Sequence, residues 1–157
     1  MDERFICDRN LGKLAKWLRI LGYDTLFYRG NADRDFLRKA DREGRIALTR
    51  KRDLERRRHA GRLVVIKADR ADAQIGEILE VLALSPDPLR RMSRCLRCNS
   101  TLEEVAKEAV EGMVPVYVYE NCMQFHRCSL CRGIFWPGTH PRHVEEYLRR
   151  RIPSRRP

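Results

Sequence analysis

Arg4-Phe5-Ile6-Cys7-Asp8-Arg9-Asn10-Leu11-Gly12-Lys13-Leu14-Ala15-Lys16-Trp17-Leu18-Arg19-Ile20-Leu21-Gly22-Tyr23-Asp24-Thr25-Leu26-Phe27-Tyr28 reads as strand, helix, strand. Arg4 to Cys7 is a short apolar run. Leu11, Leu14, Leu18 and Leu21 then recur at helical spacing, with Trp17 and Ile20 widening the stripe. Lys13, Lys16 and Arg19 take the polar side, and Gly22 supplies the stop. Thr25 to Tyr28 is a second apolar run. A strand that returns through a helix to another strand implies a parallel pair with a right-handed crossover.

The same alternation continues outward. A helix is predicted from about Arg34 to Glu43, ended by Gly44, and a third strand at Ile46 to Thr49. A charged helix follows from about Asp53, then a strand at Leu63 to Ile66. A last helix spans Ala73 to Leu84, with Asp72 as its N-cap. The expected fold class is α/β, a parallel sheet flanked by helices. In such sheets ligands lie beyond the carboxyl ends of the strands.

Ser85-Pro86-Asp87-Pro88 breaks the pattern and suggests two units, 1–88 and 89–157. The second holds Cys95-Leu96-Arg97-Cys98 and Cys128-Ser129-Leu130-Cys131. Four thiols in two knuckles can surround one tetrahedral zinc ion, which would be a structural site with no open position. A small C-terminal zinc ribbon of three strands is expected, with a β-rich middle at Val114 to Tyr119 and a final helix from Pro141 to about Arg151. Tyr117, Tyr119, Phe125, Phe135 and Trp136 offer either stacking surfaces or ribbon core. Cys7 reads as a buried small hydrophobe and Cys122 as a surface or strand residue.

The chain has 157 residues, a net charge of +11 and 43% hydrophobic residues. No run approaches the length of a membrane span, and no leader peptide is evident. Paired thiols used for metal point to a reducing compartment, the cytoplasm. Arginines cluster at 56–58, 90–91, 149–151 and 155–156. Their planar fork suits phosphate, so a polyanion, most simply nucleic acid, is the expected partner. A solvated basic surface is the alternative. No Walker loop, dinucleotide turn or serine elbow is present.

Four aspartates follow the predicted strands: Asp8 after the first, Asp33 and Asp35 after the second, Asp53 after the third. Gathered at one sheet edge, their oxygens suit Mg²⁺ or Mn²⁺ and could support phosphodiester hydrolysis. Each also has a plain reading as a helix cap: Asp8 or Asn10 for the first helix, Asp33 or Asp35 for the second, Asp53 for the third.

Asp8-Arg9-Asn10-Leu11-Gly12-Lys13-Leu14-Ala15-Lys16-Trp17-Leu18-Arg19, Leu21-Gly22-Tyr23-Asp24-Thr25 and Gly44-Arg45-Ile46-Ala47-Leu48-Thr49-Arg50 together resemble the Mut7-C RNase domain family. The ribbon matches too, through both knuckles, Val114-Pro115-Val116-Tyr117-Val118 and Phe135-Trp136-Pro137-Gly138-Thr139-His140. The resemblance covers about residues 4–143. It implies a PIN-like domain carrying a zinc ribbon, and a metal-dependent ribonuclease. Its acidic positions fall on Asp8 and on Asp33, with Asp35 beside it. The third acid normally follows Thr-Arg, where this chain has Lys51, and Asp53 remains. The site implied is therefore Asp8, Asp33, Asp35 and Asp53, with Asp8, Asp33 and Asp53 holding Mg²⁺ or Mn²⁺. Lys13, Lys16, Arg50, Lys51 and Arg52 would contact RNA, structured or ribosomal RNA included. The alternative is an RNA- or ribosome-binding protein whose pocket Lys51 has weakened or silenced. A zinc-dependent protein-interaction unit is a third reading. His140 is followed by Pro141 where the family often has Trp, and it reads as a turn residue.

Overall fold

A computed structural model of the chain describes residues 2–137 together with 146, 147, 149 and 150. Strands β1 (Arg4–Cys7), β2 (Asp24–Phe27), β3 (Ile46–Thr49) and β4 (Leu63–Val65) form one parallel sheet in the order β2-β1-β3-β4. Period-two alternation sorts the central strands onto two faces. Phe5, Cys7, Ile46 and Leu48 meet helix α1 (Gly12–Ile20) and helix α3 (Ala71–Val81) through Leu14, Leu18, Ile75 and Ile78. Ile6 and Ala47 face the other way. They meet Phe36, Leu37 and Ala40 of helix α2 (Arg34–Glu43), and Leu54 of a 3-10 turn at Arg52–Arg56. The α/β sheet flanked by helices is as the sequence led us to expect.

Helix boundaries follow local chemistry. At the end of α1, Gly22 (φ +94°) turns the chain while its N–H bonds Arg19 and that of Tyr23 bonds Leu18. This closes the last carbonyls in a Schellman pattern. A β-carbon on Gly22 would collide with the Arg90 carbonyl oxygen, in a backbone geometry L-residues avoid. Gly22→Ala should therefore cost about 2–3 kcal/mol in urea unfolding. A loss under about 0.5 kcal/mol would show that the linker at Arg90 yields freely.

Several local expectations are corrected. Neither Asp8 nor Asn10 caps α1, whose N-cap Leu11 receives no side-chain bond. The segment from Asp53 is a short 3-10 turn rather than a full helix. Helix α3 starts at Ala71 with Arg70 at its N-cap, and Asp72 bonds the Ala73 N–H from within the first turn. It ends at Val81, short of Leu84, and Ala83 beyond it sits at φ +50°.

The ribbon is antiparallel: β5 (Leu102–Val105), β6 (Phe125–Cys128) and β7 (Ile134–Phe135), in that order. The middle at Val114 to Tyr119 is not a strand. Residues Val116–Asn121 form a short helix, α4, after Pro115. The central strand β6 is already paired on both sides by β5 and β7, and none of the α4 side chains is buried. Phe125 and Phe135 are ribbon core, whereas Tyr117 is 75% exposed. Of the predicted C-terminal helix, residues 146, 147, 149 and 150 are described and are helical, and Tyr147 meets Trp17 edge-on at 5.9 Å. His140 and the last arginines lie outside the described residues.

Candidate functional site

Parallel pairing brings the carboxyl ends of β1, β2 and β3 to one edge. Asp8 leaves β1 there and is 1% exposed. Its N–H continues the ladder to Leu48, and its carboxylate accepts three bonds. Asn10 N–H reaches Oδ1 at 2.8 Å, and the Thr49 hydroxyl and Arg50 N–H reach Oδ2 at 2.6 and 3.1 Å. Donors in this number offset the desolvation of a buried charge. They also fix the direction of the carboxylate and tie the end of β1 to the end of β3.

The remaining acids are placed differently. Asp33 is the N-cap of α2, accepting the Asp35 and Phe36 N–H groups on Oδ1. Asp35 is exposed and faces Arg38 at 3.7 Å. Asp53 is exposed in the first turn of the 3-10 segment. Lys51 reaches across, its ammonium 3.4 Å from the carbonyl of Ala32, the residue before Asp33. Its N–H bonds the Thr49 hydroxyl at 3.0 Å. Among the described residues, these aspartates do not close into a group of three within metal-ligand reach; the cysteine quartet alone does.

Of the basic candidates, Arg50 is committed inside the fold. It donates to the Ala68 carbonyl and to Asp69, both at 2.6 Å. Arg52 is exposed at the start of the 3-10 turn. Lys13 and Lys16 are exposed on α1, Lys13 in the turn nearest the strand ends.

Cys95, Cys98, Cys128 and Cys131 bring their sulfurs within 4.8 Å of one another, and those of Cys95 and Cys131 lie 3.7 Å apart. An ion held 2.3 Å from each of four tetrahedral sulfurs requires about 3.8 Å between them. The two knuckles repeat one another bond for bond. Cys98 N–H bonds the Cys95 sulfur and Cys131 N–H the Cys128 sulfur, both at 3.4 Å. Asn99 and Arg132 follow in the left-handed region and bond back to the Cys95 and Cys128 carbonyls, both at 2.9 Å. Backbone N–H groups aimed at sulfur favour thiolate, the form that binds metal. The quartet fits a zinc ion in both spacing and donor chemistry.

Residues 3–148 match the family described as the Mut7-C RNAse domain. The chain belongs to that family. Neither the curated proteins nor the solved structures compared with it gave a match. The match spans both the four-stranded sheet and the two knuckles.

The structure also joins them physically, through residues the sequence did not single out as a group. Arg19, 6% exposed, donates to Thr25 O at 2.9 Å and to Leu96 O of the first knuckle at 2.7 Å. Asn99 bonds the Thr25 N–H at 2.9 Å and the Asp24 carboxylate at 2.7 Å. Burial would raise the Asp24 carboxyl, but bonds from Arg45 and Asn99 outweigh it and hold it at about 2. Asp24 pairs with the buried Arg45 at 2.7 Å. The knuckle thus docks at the amino end of β2, opposite the edge that carries Asp8.

Proposed function

We propose that this Mut7-C chain is a ribonuclease that hydrolyses RNA phosphodiester bonds at the Asp8 edge with Mg²⁺ or Mn²⁺. The observation that carries it is the Asp8 carboxylate, buried at the end of a central strand and aimed by Thr49 and Arg50. Asp8, Asp33 and Asp53 are the residues that would hold the ion. Hard carboxylate oxygens fit it, and Mg²⁺ is usually held by one or two carboxylates plus substrate phosphate rather than by an all-protein cage. The missing three-acid cluster is therefore compatible with an ion that arrives with RNA. Bound, it would lower the pKa of a coordinated water and offset phosphoryl charge.

The protein's own part is positioning. Thr49 and Arg50 hold Asp8 in one orientation, so the cation it would hold is presented to the reacting phosphate from one fixed position. Asp33 is fixed through its cap bonds on Oδ1. Lys13, Lys16, Lys51 and Arg52 would bear on the RNA backbone. We read residues 1–88 as the catalytic unit and 89–157 as a ribbon with structural zinc that stabilises it and aids RNA binding. Four sulfurs fill a tetrahedral ion, leaving it no catalytic position. Reduced, metal-holding thiols fit a cytoplasmic protein. No helix among the described residues is long and apolar enough to cross a membrane.

A second reading, a weakened or silent RNA- or ribosome-binding protein, is favoured by one observation: the Lys51 ammonium lies beside the Asp33 loop, where it competes with a cation. Lys51→Asp separates the two. With Mn²⁺ and single-stranded RNA, cleavage by the variant should rise at least about tenfold over wild type, the scale on which one metal-site partner acts. If neither protein cleaves while both bind RNA, the hydrolase reading is lost and the binding reading stands.

A further inference from the structure

The geometry points to a groove between α2 and the segment after the 3-10 turn as the path of single-stranded RNA toward the Asp8 edge. This rests on the ribonuclease reading above and adds the binding surface to it. The groove has a volume of about 530 Å³ and is lined by Arg34, Leu37, Arg38, Asp41, Arg57 and Arg58. Arg34, Leu37, Arg38 and Asp41 recur at three- and four-residue intervals, so they share one face of the helix. Arg34 follows the cap Asp33 directly, so the groove opens beside the candidate edge. Seven residues of helix span about 10 Å, room for about three phosphates at 3.4 Å each along a stacked strand.

The charge in this groove is uncommitted, unlike that of three arginines elsewhere in the sheet unit. Arg19, Arg45 and Arg50 are bonded into the fold. Arg34, Arg57 and Arg58 make no side-chain hydrogen bond or ion pair among the described residues, and Arg38 has only the long contact with exposed Asp35. The single acid, Asp41, is turned to the Gly61 N–H and the His59 ring, both at 3.0 Å. Four guanidinium groups facing open space present planar forks to phosphate. Among the described residues no aromatic ring lines the groove, so it holds backbone without stacking bases and selects little by sequence.

The test is binding of the zinc-loaded full chain to a labelled uridine homopolymer, without divalent cation, by fluorescence anisotropy across a salt series. Each phosphate contact on a single strand contributes about 0.7 to the slope of log affinity against log salt. Arg57→Gln with Arg58→Gln should flatten the slope by about 1.4 and weaken binding about 25-fold at 0.1 M salt, relative to a 1 M reference. Arg34→Gln with Arg38→Gln should act similarly. An adenosine homopolymer should bind within a few-fold of uridine. Arg42→Gln with Arg62→Gln, equal in charge but outside the groove, is the control and should change affinity much less. Equal losses from control and groove pairs would overturn the inference, as would a glutamate homopolymer displacing RNA at equal concentration. Cleavage by the groove variants at saturating RNA would leave the ribonuclease reading intact even then. A wild type that neither binds nor cleaves RNA would end both.

Discussion

Cys95→Ser should release the metal and melt the ribbon, while the four-stranded sheet stays folded. Metal binding to a four-thiolate site contributes about 10–16 kcal/mol in small zinc units, and there it is the folding energy itself. The ribbon has little else: a buried cluster of Cys95, Leu102, Cys128 and Phe135, with Val110 and Phe125 buried beside it. Such a core is too small to hold three strands without the ion. The sheet has two full hydrophobic clusters of its own and should persist. It would not be untouched. Arg19 would lose the Leu96 carbonyl, and Thr25 and Asp24 would lose the Asn99 side chain. Each orphaned buried group costs about 1–3 kcal/mol, less wherever water enters. Metal content and residue-level hydrogen exchange read the outcome. Protection should vanish from Leu102 to Phe135 and fall only partly at β1 and β3. Stoichiometric zinc retained by the variant would refute the four-cysteine site.

Asp8→Asn should be the most damaging single change on the sheet side. The amide keeps one acceptor oxygen, so either the pair from Thr49 and Arg50 or the bond from Asn10 can be kept, but not both. Its NH₂ then faces another donor in a site with almost no solvent access. A loss of about 2–3 kcal/mol in urea unfolding follows. Under the ribonuclease reading, Mn²⁺-dependent cleavage should also drop at least about 100-fold, with the variant still folded and binding RNA. Cleavage at wild-type rate would remove Asp8 from the chemistry and leave it as a strut between β1 and β3.

The sheet was legible because its signals are local. Leucines at helical spacing, a glycine stop and a four-residue apolar run recur along the first unit, and each fixes its element without distant help. Asp33 illustrates the limit. A carboxylate before a helix reads equally well as cap or ligand, and the structure shows it capping α2. The segment at Val114 to Tyr119 misled for a related reason. Alternating Val and Tyr favour a strand only where they pack on a sheet face, and here they form a short helix with no buried side chain. Arg50 looked like an RNA contact because its bonds to Ala68 and Asp69 depend on the fold. The zinc quartet was readable because ligand spacing within each knuckle is short-range, whereas the docking of Asn99 onto β2 spans more than 70 residues of chain and left no pattern.

That docking has a consequence for solubility. Strand β2 is one of the two edge strands of its sheet, and the Thr25 N–H on its free side is covered by the Asn99 amide. Exposed strand edges recruit strands from other molecules. Metal starvation would therefore uncover a sticky margin as well as loosen the ribbon, and chelated protein should assemble into larger species at concentrations where the loaded form stays dispersed.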